Sequence, residues 1–422
     1  MIDVSPKKKQ ERALLIGLEQ EGISKWDLRD SMEELAELAN SAGAEVVDTV
    51  TQKLQKPTAP YYIGKGKAEL IKESFKDQSV TSVIFDDELS PAQGRNLENL
   101  LSRKVLDRTQ LILDIFAQRA RSREGRLQIE LAQLQYLLPR LTRMWTHLSR
   151  QTGGIGTRGP GETQLEVDRR RVQERIARLE RELEGVRRVR LVQRQGRKRH
   201  QWPVAAVVGY TNAGKSTLLN LLTGADVVAE DKLFATLDPT TRNLTLPNRQ
   251  RLLLTDTVGF LRKLPHTLIE SFKATLEEVS EADLLIHVVD LSHPRVDEHI
   301  EAVDTVIKEL GAFGKQTLMV FNKIDLLEND ELVEVYAKKF PGSVAISARK
   351  GIGVSGLVQA LQDQLGAWRL RSRFRVPLSE PGLIAEIHRV GHVLELRYEG
   401  EFALIVAHTP PQLQQKLAPF VA

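Results

Sequence analysis

Between residues 10 and 106 the chain alternates short apolar runs with stretches of helical periodicity. Ala13–Leu18, Glu45–Val50 and Val80–Phe85 read as strands, and Ser31–Ser41 reads as a helix. Ser90 followed by Pro91 is an N-cap and first-turn pair, so a helix is predicted from there to about Leu101. A small α/β domain with a mainly parallel sheet follows from this order. From 107 to 148 the pattern turns helical: Leu111, Ile115, Ile129, Leu134, Leu137, Leu138 and Leu141 recur with arginines between them. A second helical stretch, from Gln164 to about Gln195, carries Val172, Ile176, Leu179, Leu183 and Val186. The two stretches predict an antiparallel hairpin of long helices whose tip is the glycine-rich QTGGIGTRGPGET. Gln195–Gln201 reads as a polar, basic linker.

Strand and helix alternate again from 203 to 367. Val204–Val208, Leu252–Thr255, Leu284–Val289, Thr317–Phe321 and Val344–Ile346 are runs of the buried-strand type. Asp297–Leu310 and Ser355–Leu365 are amphipathic helices. After the basic Arg369–Arg373 come three strand-like runs, Leu383–Ile387, Val393–Tyr398 and Phe402–Ala407, then a short helix behind Pro410 and Pro411. There is no internal repeat and no low-complexity tract.

Composition adds two constraints. Cysteine is absent, which removes disulfides and thiolate metal sites and fits a reducing compartment. The longest apolar runs, such as Leu284–Val289, fall far short of the ~20 residues that span a bilayer. The N-terminal segment has no run long enough for a signal peptide. A soluble cytoplasmic protein without a membrane anchor is expected, acting as a monomer. Net charge is only +4, yet residues 108–199 hold 22 Lys and Arg against 10 Asp and Glu. That block stands at +12 and the remainder at −8. Such a block suits a polyanionic partner. A solvated helical face whose arginines pair with its own glutamates would produce the same count.

The chemistry is concentrated in four short motifs. Gly209, Tyr210, Thr211, Asn212, Ala213, Gly214, Lys215 and Ser216, followed by Thr217, form a G-x-x-x-x-G-K-S loop between an apolar strand and an apolar helix. Its glycines let backbone amides wrap a phosphate, Lys215 reaches the β- and γ-phosphates, and Ser216 ligates Mg²⁺. Asp256, Thr257, Val258 and Gly259 follow the strand LLLT, 40 residues after Ser216. There the aspartate can hold Mg²⁺ through water, and the Gly259 amide can face the γ-phosphate. Lys215 and Gly259 are the catalytic candidates. Asn322, Lys323, Ile324 and Asp325 follow the strand TLMVF. A carboxylate here accepts both N–H donors of a guanine edge, which adenine does not offer. Ser347, Ala348 and Arg349 can present backbone amides to the guanine O6. Asp290, ending another strand, reads as structural. Between the first two motifs, Thr236, Thr240 and Thr241 are equally suited to ligate Mg²⁺ when a γ-phosphate is present.

The runs GYTNAGKST, FATLDPT, DTVGF and NKID resemble the HflX family of ribosome-associated GTPases, a sister group of the Obg GTPases. So do GKGKAEL, DRT-LILDIFAQRA and GGIG-RGPGETQLE-DRR, and the resemblance covers roughly residues 60–350. The pattern along the chain divides an α/β fold into four parts. These are a small α/β domain (1–106), a basic helical hairpin with a Gly-rich tip (107–199), a P-loop GTPase domain (200–368) and a small C-terminal α+β domain (369–422). The resemblance singles out Thr236 as the switch ligand of Mg²⁺ beside Ser216, and it adds Phe234, Ala235, Leu237 and Asp238 to the GTP site. It implies a slow GTPase that binds the large ribosomal subunit and its RNA and splits or rescues stalled ribosomes. The alternative is a nucleotide-dependent assembly or silencing factor that binds ribosomes without splitting them. Arg150, Gly153, Gly154, Arg158, Gly159 and Gly161 at the hairpin tip are the RNA-contact candidates. Phe260 stands where many small GTPases place a water-orienting glutamine, so hydrolysis is expected to be slow without help. In related GTPases lacking that glutamine, an asparagine at the position of Asn212 accompanies the use of K⁺ as an extra charge. The segment Ile63–Lys67 has no complete phosphate-binding pattern and is read as a helix start.

Overall fold

Strand β1 (Glu11–Glu19) is buried without interruption from Ala13 to Leu18. Only a strand covered on both faces can bury every side chain, which places it inside a parallel sheet with helices on either side. A computed structural model describes residues 11–22, 24–75, 80–141, 160–200, 202–224, 233–234, 236–237, 239–248, 250–263, 278–368, 370–409 and 411–422. The chain forms two compact units. One comprises Met1–Gly185, Glu230–Asp238 and Lys263–Lys273; the other comprises Val186–Ala229, Pro239–Arg262 and Ala274–Ala422.

In the first unit β1 is followed by α1 (Lys25–Ser41), β2 (Ala44–Lys53), α2 (Lys65–Ser74), β3 (Ser82–Phe85), α3 (Pro91–Leu101) and β4 (Lys104–Asp107). The sheet order is β2-β1-β3-β4 and every pairing is parallel. Leu14, Ile16 and Leu18 pack with Ile71, Leu97 and Leu101 of α2 and α3, while Gly17 lies against Leu28 and Met32 of α1. The helix start at Ser90 is a capping box with Pro91 in the first turn. Gly64 is the cap residue of α2, as a helix start at Ile63–Lys67 requires. The apolar pattern was too short to reveal β4, a four-residue strand.

The helical segment after β4 departs from expectation. It is two helices, α4 (Arg108–Arg119) and α5 (Arg123–Leu137), because Ala120 is extended and the Ser122 hydroxyl accepts the Gly125 N–H at 2.9 Å. That side-chain cap offers the backbone an alternative to continuing the first helix. The next helix, α6 (Pro160–His200), runs through Gln195–His200, so no linker begins there. Arginine, lysine and glutamine are good helix formers, and one glycine costs only about 1 kcal/mol. Gly161, expected in a loop, lies in the first turn of α6 behind Pro160. Arg150, Gly153, Gly154, Arg158 and Gly159 lie outside the described residues. Part of the basic block is self-neutralised: Arg170 pairs with Glu174, Arg171 with Asp168 and Arg178 with Glu182, while Arg175 makes a two-pronged bridge to Glu130 at 2.7 and 2.9 Å.

In the second unit, β5 (Val204–Gly209), α7 (Lys215–Thr223), β6 (Thr240–Thr245), β7 (Arg251–Asp256), β8 (Leu284–Asp290), α8 (Val296–Glu309), β9 (Thr317–Asn322), α9 (Glu331–Lys339), β10 (Val344–Ala345) and α10 (Val354–Trp368) follow in order. The sheet order is β10-β9-β8-β5-β7-β6, parallel except for the antiparallel edge strand β6. The C-terminal part is β11 (Leu370–Pro377), α11 (Pro381–Val390), β12 (His392–Glu399), β13 (Phe402–Thr409) and α12 (Pro411–Leu417), with an antiparallel sheet in the order β11-β13-β12. Here the sequence reading is corrected. Leu383–Ile387 is helical, started by Pro381, and its apolar residues at helical spacing pack on Phe374 and Ile405. The missing strand is the arginine-rich segment itself. Among the described residues no helix is long and apolar enough to cross a membrane.

The tightest polar cluster of the first unit is built on Arg108, which is 2 % exposed. Its Nη2 lies 2.8 Å from Asp86 Oδ1 and 3.0 Å from the Ser31 carbonyl, and Nη1 bonds Glu34. Burial would raise the Asp86 carboxyl, but the charges of Arg108 and Lys263 outweigh it and hold it at about 2. Arg108→Met would leave that carboxylate buried with half its partners. The first unit is expected to lose about 3–5 kcal/mol in denaturant titration. In the wild type the smaller part of this stability that depends on Asp86 being ionised should fade as pH falls from 3.8 through about 2, because the folded carboxyl is the stronger acid.

Candidate guanine-nucleotide site

The second unit's motifs meet at the carboxyl ends of its parallel strands, where open α/β sheets bind ligands. β5 turns at Gly209 into the phosphate loop, with Asn212 at φ 60° and Gly214 at φ 94°, before α7 begins at Lys215. Lys215 is 7 % exposed, and its Nζ donates to the Tyr210 carbonyl at 2.7 Å. Burial lowers its pKa to about 8, only partly opposed by Asp256. A bound polyphosphate would favour the charged form further. Asp256 stands beside Val207 in the β5–β7 register, and the Ser216 hydroxyl donates to its Oδ2 at 2.7 Å. Thr257 is tied to the Val207 carbonyl at 2.7 Å. The Ser216 hydroxyl and the buried Asp256 carboxylate are hard oxygen donors of the kind Mg²⁺ takes.

The DTVGF turn is joined to the phosphate loop by backbone. Thr211 N–H donates to the Phe260 carbonyl at 2.8 Å, and Phe260 N–H donates to the Gly209 carbonyl at 3.2 Å. Gly259 is thereby pressed so close that a Cβ there would stand 2.9 Å from both Lys215 Nζ and Thr211 Cα. Phe260 is 2 % exposed and carries no polar group to this place.

On the base side, Asn322 is 3 % exposed. Its Nδ2 donates to the Ala213 carbonyl at 2.8 Å and its Oδ1 accepts the Ala348 N–H at 2.9 Å. The Ala348 amide, expected to face a guanine, is thus engaged by Asn322. Lys323 adopts φ 65° and bridges to Asp290 at 2.7 Å, which accounts for Asp290 as a structural residue. The Asp325 side chain is 7 % exposed. A hydrogen bond from Ser347 keeps its carboxyl below the usual range, aided by Lys350. Ile324 N–H donates to the Ile346 carbonyl, while Arg349 is exposed.

The three threonines separate by geometry. Thr240 and Thr241 lie in β6, and the Thr241 hydroxyl is 3.0 Å from that of Thr255. Thr236 is half-buried on the segment Glu230–Asp238, which folds with the first unit. Phe234 and Leu237 of that segment are buried, and Phe234 meets Phe116 edge-on at 4.6 Å. Ala235 and Asp238 lie outside the described residues. Sequence reasoning missed the surroundings of Tyr210. Its ring stacks on His299 at 3.8 Å, and its hydroxyl accepts the Arg262 N–H at 3.0 Å. Arg262 in turn bridges to Glu298 at 2.8 Å. Nothing in a loop motif announces partners so distant in sequence.

Three family models match consecutive parts of the chain: "GTP-binding GTPase N-terminal" over 29–117, "GTP-binding GTPase Middle Region" over 119–197 and "50S ribosome-binding GTPase" over 204–323. The GTPase HflX of Caldanaerobacter subterraneus is 48% identical over 412 residues, covering 98% of this chain and 94% of that protein. The chain belongs to the HflX family. The GTPase HflX of Escherichia coli is likewise 48% identical over 365 residues, 86% of this chain and 85% of that one. A GTP-binding protein from Sulfolobus solfataricus, solved with GDP, is 26% identical with a TM-score of 0.46, covering 84% of this chain and 98% of that one. This HflX-family member is a GTP-hydrolysing enzyme. Asp325→Asn is expected to weaken GTP binding ~10²-fold, the size of charge-assisted bonds lost at a buried edge, and to admit xanthine nucleotides. Fluorescent-nucleotide titration checks both, and equal affinity of the wild type for ATP and GTP would overturn the assignment.

Proposed function

We propose that this HflX-family GTPase acts in the cytoplasm on the large ribosomal subunit, and that its GTP-bound form separates stalled ribosomes into subunits. One observation carries the reading: the nucleotide-sensing segments are built into the N-terminal unit. Phe234, in the FATLD run, packs on Phe116, and Lys263, three residues after Phe260, bridges to Asp86 at 2.6 Å and Asp87 at 2.7 Å. The presence of a γ-phosphate can therefore be felt by a unit that has no nucleotide motif of its own. The match to a family model described as a 50S ribosome-binding GTPase supports a ribosomal partner. In this reading Arg150, Gly153, Gly154, Arg158, Gly159 and Gly161 contact ribosomal RNA.

At the nucleotide, Lys215 and the Gly259 amide hold the γ-phosphate, and Asp325 reads the guanine. Ser216 and Thr236 are the proposed Mg²⁺ ligands, and bound Mg²⁺ neutralises phosphate charge. Asn212 is the proposed K⁺ contact. Hydrolysis is slow in isolation because Phe260 presents no polar group to water, and large subunits should stimulate it well over tenfold, against ~10³–10⁵ for an external arginine finger. Light scattering of intact ribosomes with GTP or a non-hydrolysable analogue tests the central claim. A fall in scattering is expected. Stimulated turnover at constant scattering would favour the assembly or silencing role, and turnover at tens per second without ribosomes would overturn the account of Phe260. Turnover is also expected to be faster in K⁺ than in Na⁺ at equal ionic strength; equal rates would remove K⁺ from the site.

A further inference from the structure

The strand β11 alternates strictly. Phe374 and Val376 are fully buried against Ile387, Leu413 and Leu417 of the two C-terminal helices. Arg371, Arg373 and Arg375 point the other way and are exposed. We infer that this arginine face of the C-terminal sheet is an RNA-binding surface that grips successive phosphates; that the RNA is ribosomal rests on the function proposed above.

Four observations support it. First, the three guanidiniums are not neutralised. Among the described residues the ion pairs of the C-terminal part are Arg389–Glu386, Arg397–Glu395 and Lys416–Glu386, so its paired carboxylates serve other cations. Second, alternate residues of a strand stand ~6.7 Å apart, inside the screening length of ~8 Å at physiological salt. Three like charges in such a row repel one another, and a ligand with repeating negative charge relieves that. Third, the flank is suited to nucleic acid. The Arg375 guanidinium lies 4.2 Å over the Phe402 ring, an arrangement that orients its donors and leaves a flat surface for stacking. Fourth, the outer edge of β11 is already taken. Phe374 pairs with Val421, and the Ala422 N–H donates to the Arg373 carbonyl at 2.9 Å. A peptide adding as a further strand would have to displace this segment, whereas a phosphate chain needs only the side chains.

The surface is independent of the basic hairpin. The matched family models end at residue 323, before this strand begins. It would give the enzyme a second grip, carried on the same unit as the nucleotide loop.

The test uses the full chain and two probes, deproteinised large-subunit RNA in filter binding and purified large subunits in pelleting, over a series of salt concentrations. In Arg371→Gln/Arg373→Gln/Arg375→Gln the slope of log K against log salt for RNA should fall by about 2–3, at ~0.7–0.9 per lost phosphate contact. Affinity at moderate salt should drop at least ~tenfold. The corresponding triple Lys variant should keep most of the slope, and GDP affinity should be unchanged in both. If the triple Gln variant does not fold, Arg373→Gln alone should lower the slope by ~0.7–0.9. A wild-type slope and affinity in the Gln variants overturns the inference, as does arginine-dependent binding to phosphatidylserine vesicles without binding to RNA. Wild-type protein that binds RNA through these arginines but does not pellet with subunits leaves the surface standing and sinks the ribosomal reading. Pelleting that is indifferent to the arginines, with an unchanged RNA slope, does the reverse.

Discussion

The nucleotide site depends on one buried side-chain amide. Asn322 donates to the phosphate loop at Ala213 and accepts from the base-side loop at Ala348, so three motifs far apart in sequence share one rigid group. An unpaired amide at 3 % exposure would cost about 1–3 kcal/mol for each missing partner. Both loops must therefore keep their conformations for Asn322 to remain satisfied. The requirement propagates. Gly214 has no alternative, because a Cβ there would collide with Asn322 Nδ2. Lys323 is left-handed and bridges to Asp290, and two residues on Asp325 is hydrogen-bonded by Ser347.

A second constraint acts on the DTVGF turn. Its backbone is hydrogen-bonded to the phosphate loop at Gly209 and Thr211, and Tyr210 holds the Arg262 amide from the same loop. The next residue, Lys263, belongs to the other unit and is neutralised there by Asp86 and Asp87. Neighbours in sequence are thus anchored to different bodies. Any nucleotide-driven change at Gly259 must be absorbed within very few bonds or passed along the chain. Phe260, next to Gly259, is fully buried.

How much of this was legible depended on the range of the cause. The helix start at Ser90 and the motif loops are local patterns, in which residue type, spacing and the preceding apolar run are sufficient. The break between α4 and α5 was hidden because arginines and alanine fill the gap between Phe116 and Leu127 without a proline or an asparagine–glycine turn, while one serine cap decides the outcome. Leu383–Ile387 was ambiguous for a different reason: five apolar-rich residues fit a strand or a helix equally, and Pro381 settles it by starting a helix. Arg108 opens the basic segment, and nothing local in the sequence marks it as buried. Its burial follows from Asp86 and Glu34, which only the tertiary fold brings to it.

The same reasoning explains why charge count alone misplaces a binding surface. In α6 many arginines stand three or four residues from a glutamate or aspartate, and the helix closes those pairs on itself. In β11 the alternating residues Ser372, Phe374 and Val376 face inward and none is acidic, so the arginines have no carboxylate on their own strand to turn to. A helix rich in both signs can carry a large formal charge and present little of it. A strand with three arginines on one side presents all of it. The secondary structure, rather than the tally, determines how much positive potential a segment offers to a polyanion, and by that measure the short C-terminal strand stands beside the long helix as a candidate grip on RNA.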